Sequence, residues 1–151
     1  MSEIRTETEV EARPEQLWRV LTDFTRYPEW NPFLVGVTGA AVPGGRVIVS
    51  VKTPLVSVPL HCVVMIADAN RELRWRGHLL TDGLVAGEHY FVIEPRGENR
   101  ALFIHGEIFT GAISSIAWAI IGRDTRRGYA RMNAAFKARC ESLGPAGREA
   151  A

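Results

Sequence analysis

The chain has 151 residues, 46% of them hydrophobic, with 18 basic and 17 acidic side chains and a formal net charge of +1. That length is enough to bury a substantial core, and the near-balanced charge gives no electrostatic footing for nucleic acid. The longest apolar run, Ala112 to Gly122, holds two serines and is too short to span a bilayer, so a soluble protein without integral membrane association is expected.

Residues 2–12 alternate: Ile4, Thr6, Thr8 and Val10 share one face, and Glu3, Arg5, Glu7, Glu9 and Glu11 share the other. This predicts a strand with one wet face, and so charged a start is not a signal peptide. Pro14 sits at a tolerated first-turn position of a short helix whose apolar stripe is Leu17, Trp18, Val20 and Leu21. In DFTRYPEWNPF (23–33), Asp23 is placed to cap a second helical turn, and Pro32 ends it by forcing Asn31 out of helical geometry.

From Phe33 to Phe109 the sequence predicts six strands, 33–41, 45–53, 57–68, 72–80, 85–94 and 101–109, with breaks such as Pro43-Gly44-Gly45 and Thr81-Asp82-Gly83. Connections this short imply antiparallel pairing in a meander. After Gly111 the period becomes helical over about 113–143. Ile113, Ile116, Ile120, Tyr129, Met132, Phe136, Cys140 and Leu143 are read as one buried stripe. Gly122 and Gly128 weaken the middle, so a bend or break near 122–124 is expected. The domain is taken as 1–144, with 145–151 a frayed tail. Cys62 and Cys140 lie in no CxxC or metal-like spacing, which predicts two reduced, buried thiols in a cytoplasmic protein.

Two strands carry the chemistry. In GEHYFVIEP (87–95), Glu88 and Glu94 point to water, so His89, Phe91 and Ile93 point inward. In ELRWRGHL (72–79), Arg74, Arg76 and His78 mark the wet face, and Leu73 and Trp75 lie on the dry one. In ALFIHGEIFTG (101–111), one face holds Phe103, His105, Glu107 and Phe109, and the other Leu102, Ile104, Gly106 and Ile108. A one-residue slip of the hairpin exchanges the two faces, and the loop leaves both registers open.

The chain resembles the START-like helix-grip superfamily, in its polyketide cyclase/dehydratase (SRPBCC) branch. The resemblance rests on YPEWNPF (27–33), ELRWRG (72–77), GEHYFVIEP (87–95), FIHGEIFTG (103–111) and GYARMNAAFKAR (128–139), in that order along nearly the whole chain. It implies an α+β fold in which a curved seven-stranded antiparallel sheet, in the order β-α-α-β6-α, wraps a long C-terminal helix around an internal cavity. It also favours the register that turns Phe103, His105, Glu107 and Phe109 inward. Leu102, Ile104 and Ile108 would then lie outside, covered by a partner subunit, as in a homodimer, or by the N-terminal region.

On that register His89, His105 and Glu107 form a polar cluster among aromatic rings. It is either a satisfied core network, a group that orients a ligand in an apolar cavity, or an acid/base set; a two-His-one-carboxylate metal site has nothing beyond residue type to support it, and no metal or cofactor is expected. Candidate catalytic residues are His105, Glu107 and His89. Candidate ligand-binding residues are Trp75, Phe91, Phe103, Phe109, Trp30, Phe33, Tyr129, Met132, Asn133 and Phe136. For Tyr27, Trp30 and Phe33 the plainer reading is packing that fixes the small helices to the sheet. The leading expectation for function is binding of a small hydrophobic molecule such as a lipid, polyketide or aromatic metabolite. The alternatives are a cyclase/dehydratase-type enzyme using the His/Glu cluster, and a protein-interaction module whose cavity is vestigial.

Overall fold

The computed structural model describes residues 1–79, 81 and 83–143, so the expected tail at 145–151 and Asp82 of the expected turn lie outside the described residues. The elements run β1 (Ser2–Val10), α1 (Pro14–Thr22), a 3-10 turn (Phe24–Arg26), α2 (Tyr27–Trp30), β2 (Leu34–Gly39), β3 (Arg46–Lys52), β4 (Ser57–Asp68), β5 (Glu72–Leu79), β6 (Val85–Pro95), β7 (Ala101–Thr110) and α3 (Ser114–Ser142). All strands pair antiparallel in one seven-stranded sheet ordered β1-β7-β6-β5-β4-β3-β2. β2 to β7 form the meander that the short turns require, and β1 returns to the far edge beside β7. The sheet curves around α3, with register shifts in β2 between Leu34 and Gly36 and in β4 between Val64 and Ile66 that add local bending. This is the helix-grip fold.

Side-chain alternation sends Ile4, Val10, Leu73, Trp75, Phe91, Ile93 and Phe103 to the concave face. They meet Leu17 and Leu21 of α1 and Tyr129, Met132, Phe136 and Cys140 of α3. Phe103 stacks on Phe136 with ring centroids 4.2 Å apart. Burying each such ring stabilises the fold by about 1.5–3 kcal/mol relative to its exposure. The small helices are pinned by Tyr27, whose buried hydroxyl donates to Leu21 O at 2.6 Å. Asn31 is extended, as the following proline requires, and its Oδ1 accepts from the backbone N–H groups of Phe33 and Leu34. Asp23 makes no side-chain capping bond; its carboxylate accepts from the Thr25 hydroxyl instead.

Two expectations for α3 are corrected. The break expected near 122–124 does not occur, since the helix is continuous there, and its apolar residues form two stripes rather than one. Tyr129, Met132, Phe136 and Cys140 are buried, whereas Ile113, Ile116 and Ile120 face solvent, Ile116 at 64% and Ile120 at 74% exposure. The reason is phase. From Ile120 to Tyr129 is nine residues, about two and a half turns, so in a continuous helix the two sets lie on opposite sides.

The convex face of β6 and β7 carries a second small cluster of Tyr90, Leu102 and Ile104, with Val92 and Ile108 packed against it. Pairing of β1 with β7 sets Glu3, Glu7 and Glu9 beside Ile108, Ile104 and Leu102. The N-terminal strand is therefore what flanks these residues. Tyr90 lies over Gly106, where any β-carbon would fall 2.3 Å from its ring, and donates to Glu3 Oε1 at 2.6 Å.

Candidate functional site

Register places the polar residues. Ile93 pairs with Phe103, Phe91 with His105 and His89 with Glu107, so Phe103, His105, Glu107 and Phe109 face the concave side together with His89. His105 is fully buried, and the Glu107 side chain keeps 17% exposure. The opposite edge of β7 pairs His105 with Thr6 of β1. Above them α3 lowers Tyr129 and Asn133, one helical turn apart, onto the same point.

The hydrogen bonds here have a determined direction. A backbone carbonyl can only accept, so the Thr6 hydroxyl donates to His105 O at 2.8 Å. With its proton used, Thr6 Oγ1 accepts from Asn133 Nδ2 at 2.8 Å. That turns Asn133 Oδ1 to His105, where it accepts from Nδ1–H at 2.7 Å. Burial lowers the His105 pKa to about 4, against a smaller upward pull from Asn133, so its Nε2 is bare. This nitrogen accepts from His89 Nε2–H at 2.7 Å. Burial, and then the neighbouring His105, hold His89 well below the usual histidine range. The chain thus ends on His89 Nδ1, an unprotonated acceptor, 3.8 Å from Glu107 Oε2.

Glu107 is the complementary group. Burial raises its pKa to about 7, and the Tyr129 hydroxyl, donating to Oε2 at 2.5 Å, pulls it partly back. Tyr129 is itself held far above the usual phenol range by burial and by the carboxylate. Its ring stacks on His105 with centroids 4.0 Å apart and fixes the imidazole plane. Near neutral pH the site therefore presents an unprotonated imidazole nitrogen and a carboxyl group whose burial favours the protonated form.

These two groups line one wall of a cavity of about 120 Å³. Its other walls are mostly apolar, including Phe33, Val51, Leu60, Trp75, Phe109 and Ile121. A space of this size matches one aromatic ring rather than the ~300–1,000 Å³ of a drug-sized site. Of the residues expected from sequence, Trp75, Phe109, Phe33, His89 and Glu107 border it. His105, Tyr129 and Asn133 stand behind the wall, and Phe91, Phe103, Met132 and Phe136 fill the adjoining core. Trp30 packs on Phe136 and borders a separate hollow of about 380 Å³ with Arg19, Asp23, Arg26 and Arg139. That larger hollow is ringed by ion pairs, Arg26 with Asp23 and Arg139 with Glu29, and holds none of the perturbed groups.

Thr6 and Cys62 were not anticipated. Thr6 sits on the inward face of the alternating N-terminal strand, but only the long-range pairing of β1 with β7 brings it to His105. Cys62 lines the cavity beside Gly77, where an added β-carbon would fall 2.7 Å from its sulfur. Burial raises its thiol to about 12, so it serves as an inert wall. Cys140 is buried in the core, and neither thiol is in a disulfide.

Among the described residues no helix is long and apolar enough to cross a membrane. Structural comparison finds the same fold in a START superfamily protein from Mycobacterium smegmatis, at 21% identity over 93% of this chain and 98% of that chain with a TM-score of 0.70. The Zhui aromatase/cyclase from Streptomyces sp. R1128 is similar at 15% identity over 93% and 94% of the two chains, with a TM-score of 0.72. Norcoclaurine synthase from Thalictrum flavum is similar at 14% identity over 92% and 93%, with a TM-score of 0.69. No curated protein matches the sequence. At family level the match is direct, since residues 1–141 fit the profile described as polyketide cyclase/dehydrase and lipid transport, and the chain belongs to that family.

Proposed function

We propose that this protein binds a small hydrophobic molecule, placing a single ring or a short branched segment in the cavity between sheet and α3 and an oxygen of that molecule against His89 and Glu107. The observation that carries this reading is the make-up of the cavity wall: it is mostly apolar, and besides the exposed His78 and the half-buried Thr125 it holds a polar pair, His89 and Glu107, 3.8 Å apart. His89 Nδ1 accepts a hydrogen bond and Glu107, when protonated, donates one. A ligand hydroxyl or carbonyl is thereby held without a buried charge going unpaired. Titration calorimetry with phenol and toluene tests this. Phenol is expected to bind about tenfold tighter, the worth of one buried hydrogen bond. Equal affinities, or no binding of either, would count against the reading.

A second reading is favoured by the pairing of a carboxyl group near its pKa with a bare imidazole nitrogen. Such a pair supports an acid/base elimination of the dehydratase type. Glu107 gives its proton to a departing hydroxyl as the C–O bond breaks, His89 Nδ1 takes the proton from the adjacent carbon, and water leaves. The similarity to an aromatase/cyclase supports this reading at the level of fold. Turnover of a β-hydroxy-ketone by the wild type that persists in Glu107→Ala would remove Glu107 from that role.

A further inference from the structure

The outer side of the first turns of α3 is uncovered among the described residues. Ala112, Ile113, Ile116, Ala119, Ile120 and Ile121 are exposed, and no charged residue occurs between Glu107 and Arg123. Ile116 and Ile120 lie one turn apart on the outer side of the helix, and Arg123 and Arg127 continue the same face. Leu84 extends the apolar surface, because its carbonyl accepts from the N–H of Ile113. A helix apolar on all sides is ordinarily buried, and an exposed stripe of isoleucines at a helix end, followed along the same face by arginines, suits an oblique approach to a membrane in which the apolar tip enters and the cations stay at headgroup level.

We propose that this end of α3 docks the protein on an anionic lipid surface. The isoleucines enter the headgroup–acyl boundary, and Arg123 and Arg127 lie at the level of the phosphates. Charge selects this occupant over a second copy of the chain. Between residues 112 and 136 the exposed charges are Arg123, Arg126, Arg127 and Arg131 against Asp124 alone. Arg126 rests over the Trp118 ring at 5.3 Å, and Asp124 stands 3.8 Å from Arg127. A second copy docking through this same face would present the same excess of arginine and supply no counter-charge, whereas an anionic headgroup layer supplies it across the whole face. The positive end of the α3 dipole lies at the same place and acts in the same direction. Ile121 belongs both to this surface and to the cavity wall, so docking would set the cavity beside the lipid.

The test is co-sedimentation of the full chain with vesicles of phosphatidylcholine alone and of phosphatidylcholine containing phosphatidylserine. Binding is expected only to the second, weakening as salt is raised. Ile116→Ser with Ile120→Ser is expected to lower it at least tenfold. Arg123→Gln with Arg127→Gln is expected to lower it roughly twenty-five-fold, each arginine contributing about fivefold. All four side chains are exposed, and unchanged melting curves would confirm that the variants fold. Failure to bind the anionic vesicles, or equal binding to both kinds, overturns the proposal. So does a concentration-dependent dimer that the isoleucine variant dissociates. The phenol titration above needs no vesicles, so cavity binding and surface docking succeed or fail separately.

Discussion

The hydroxyl of Thr6 donates to the carbonyl of His105 at 2.8 Å, and this one contact orients every hydrogen bond that leads to the cavity. Because a carbonyl accepts only, it settles in turn the rotamer of Asn133, the tautomer of His105 and the nitrogen that His89 presents. Thr6 does not line the cavity, yet it decides that His89 Nδ1 is the acceptor.

Thr6→Val removes that hydroxyl and leaves Asn133 Nδ2 without its acceptor. The expected cost is about 1–2 kcal/mol of stability. The more telling readout is nitrogen NMR of the imidazoles. In the wild type His105 should carry its proton on Nδ1 and His89 on Nε2, and Thr6→Val should return both to mixed tautomers. Thr6→Ser keeps the hydroxyl and should restore the wild-type pattern. Unchanged tautomers in Thr6→Val would show that the ring protons are set elsewhere.

Glu107→Gln should change stability in a pH-dependent way. In the folded protein the Glu107 pKa is raised from 4.5 to about 7. Between those values the unfolded chain releases this proton while the folded chain keeps it, so this group's contribution falls as pH rises and levels off above 7. The buried His89 and His105, with lowered pKa values, act in the opposite sense and destabilise as pH falls below 6.5. Both are present in wild type and variant, so their effect cancels in the difference. Glutamine retains the acceptor for Tyr129 and loses the ionisation. Glu107→Gln is therefore expected to be more stable than wild type at pH 8, with a ceiling of about 3 kcal/mol at 1.36 kcal/mol per unit, and to match it near pH 4. Urea denaturation at the two pH values measures this, and an offset independent of pH would show that Glu107 titrates normally.

How much of this was legible in the sequence differs by element. The strands and their inward faces follow from period-two alternation, and Glu88 and Glu94 alone suffice to turn His89 inward. The pairing of β6 with β7 was open between two registers, because the loop at 95–100 accommodates either. The register formed, Ile93 opposite Phe103, makes His89 the partner of Glu107. Thr6 was visible as an inward residue, but its partnership with His105 joins strands 99 residues apart, and no local pattern encodes it. In α3 the error was one of phase: spacings of three and four define a face only while they continue unbroken, and the nine-residue step from Ile120 to Tyr129 reverses it. No charged residue between Glu107 and Arg123 marks the isoleucines as outer.

Gly128 offers a test in which two local effects oppose each other. It lies within α3, where alanine would ordinarily stabilise by about 1 kcal/mol. Its φ is not in the left-handed region, so the backbone would accept the change. What forbids it is Phe33, whose Cδ2 and Cε2 would lie 2.3 and 2.5 Å from an added β-carbon. Phe33 has little room to yield. Its ring packs edge-on against Tyr129 at 5.5 Å, its backbone N–H donates to Asn31 Oδ1, and its other side forms the cavity wall. Overpacking of this kind costs about 1–3 kcal/mol, so it should outweigh the helix term. Gly128→Ala is expected to destabilise the wild type by about 1 kcal/mol and to weaken phenol binding as the ring is pushed toward the cavity. In a Phe33→Leu background the obstruction is gone, and the same substitution should become neutral or stabilising. A denaturation cycle over the four proteins measures the coupling. If Gly128→Ala stabilises both backgrounds equally, Phe33 does not limit the approach of α3 to the sheet, and the cavity wall there is softer than its packing implies.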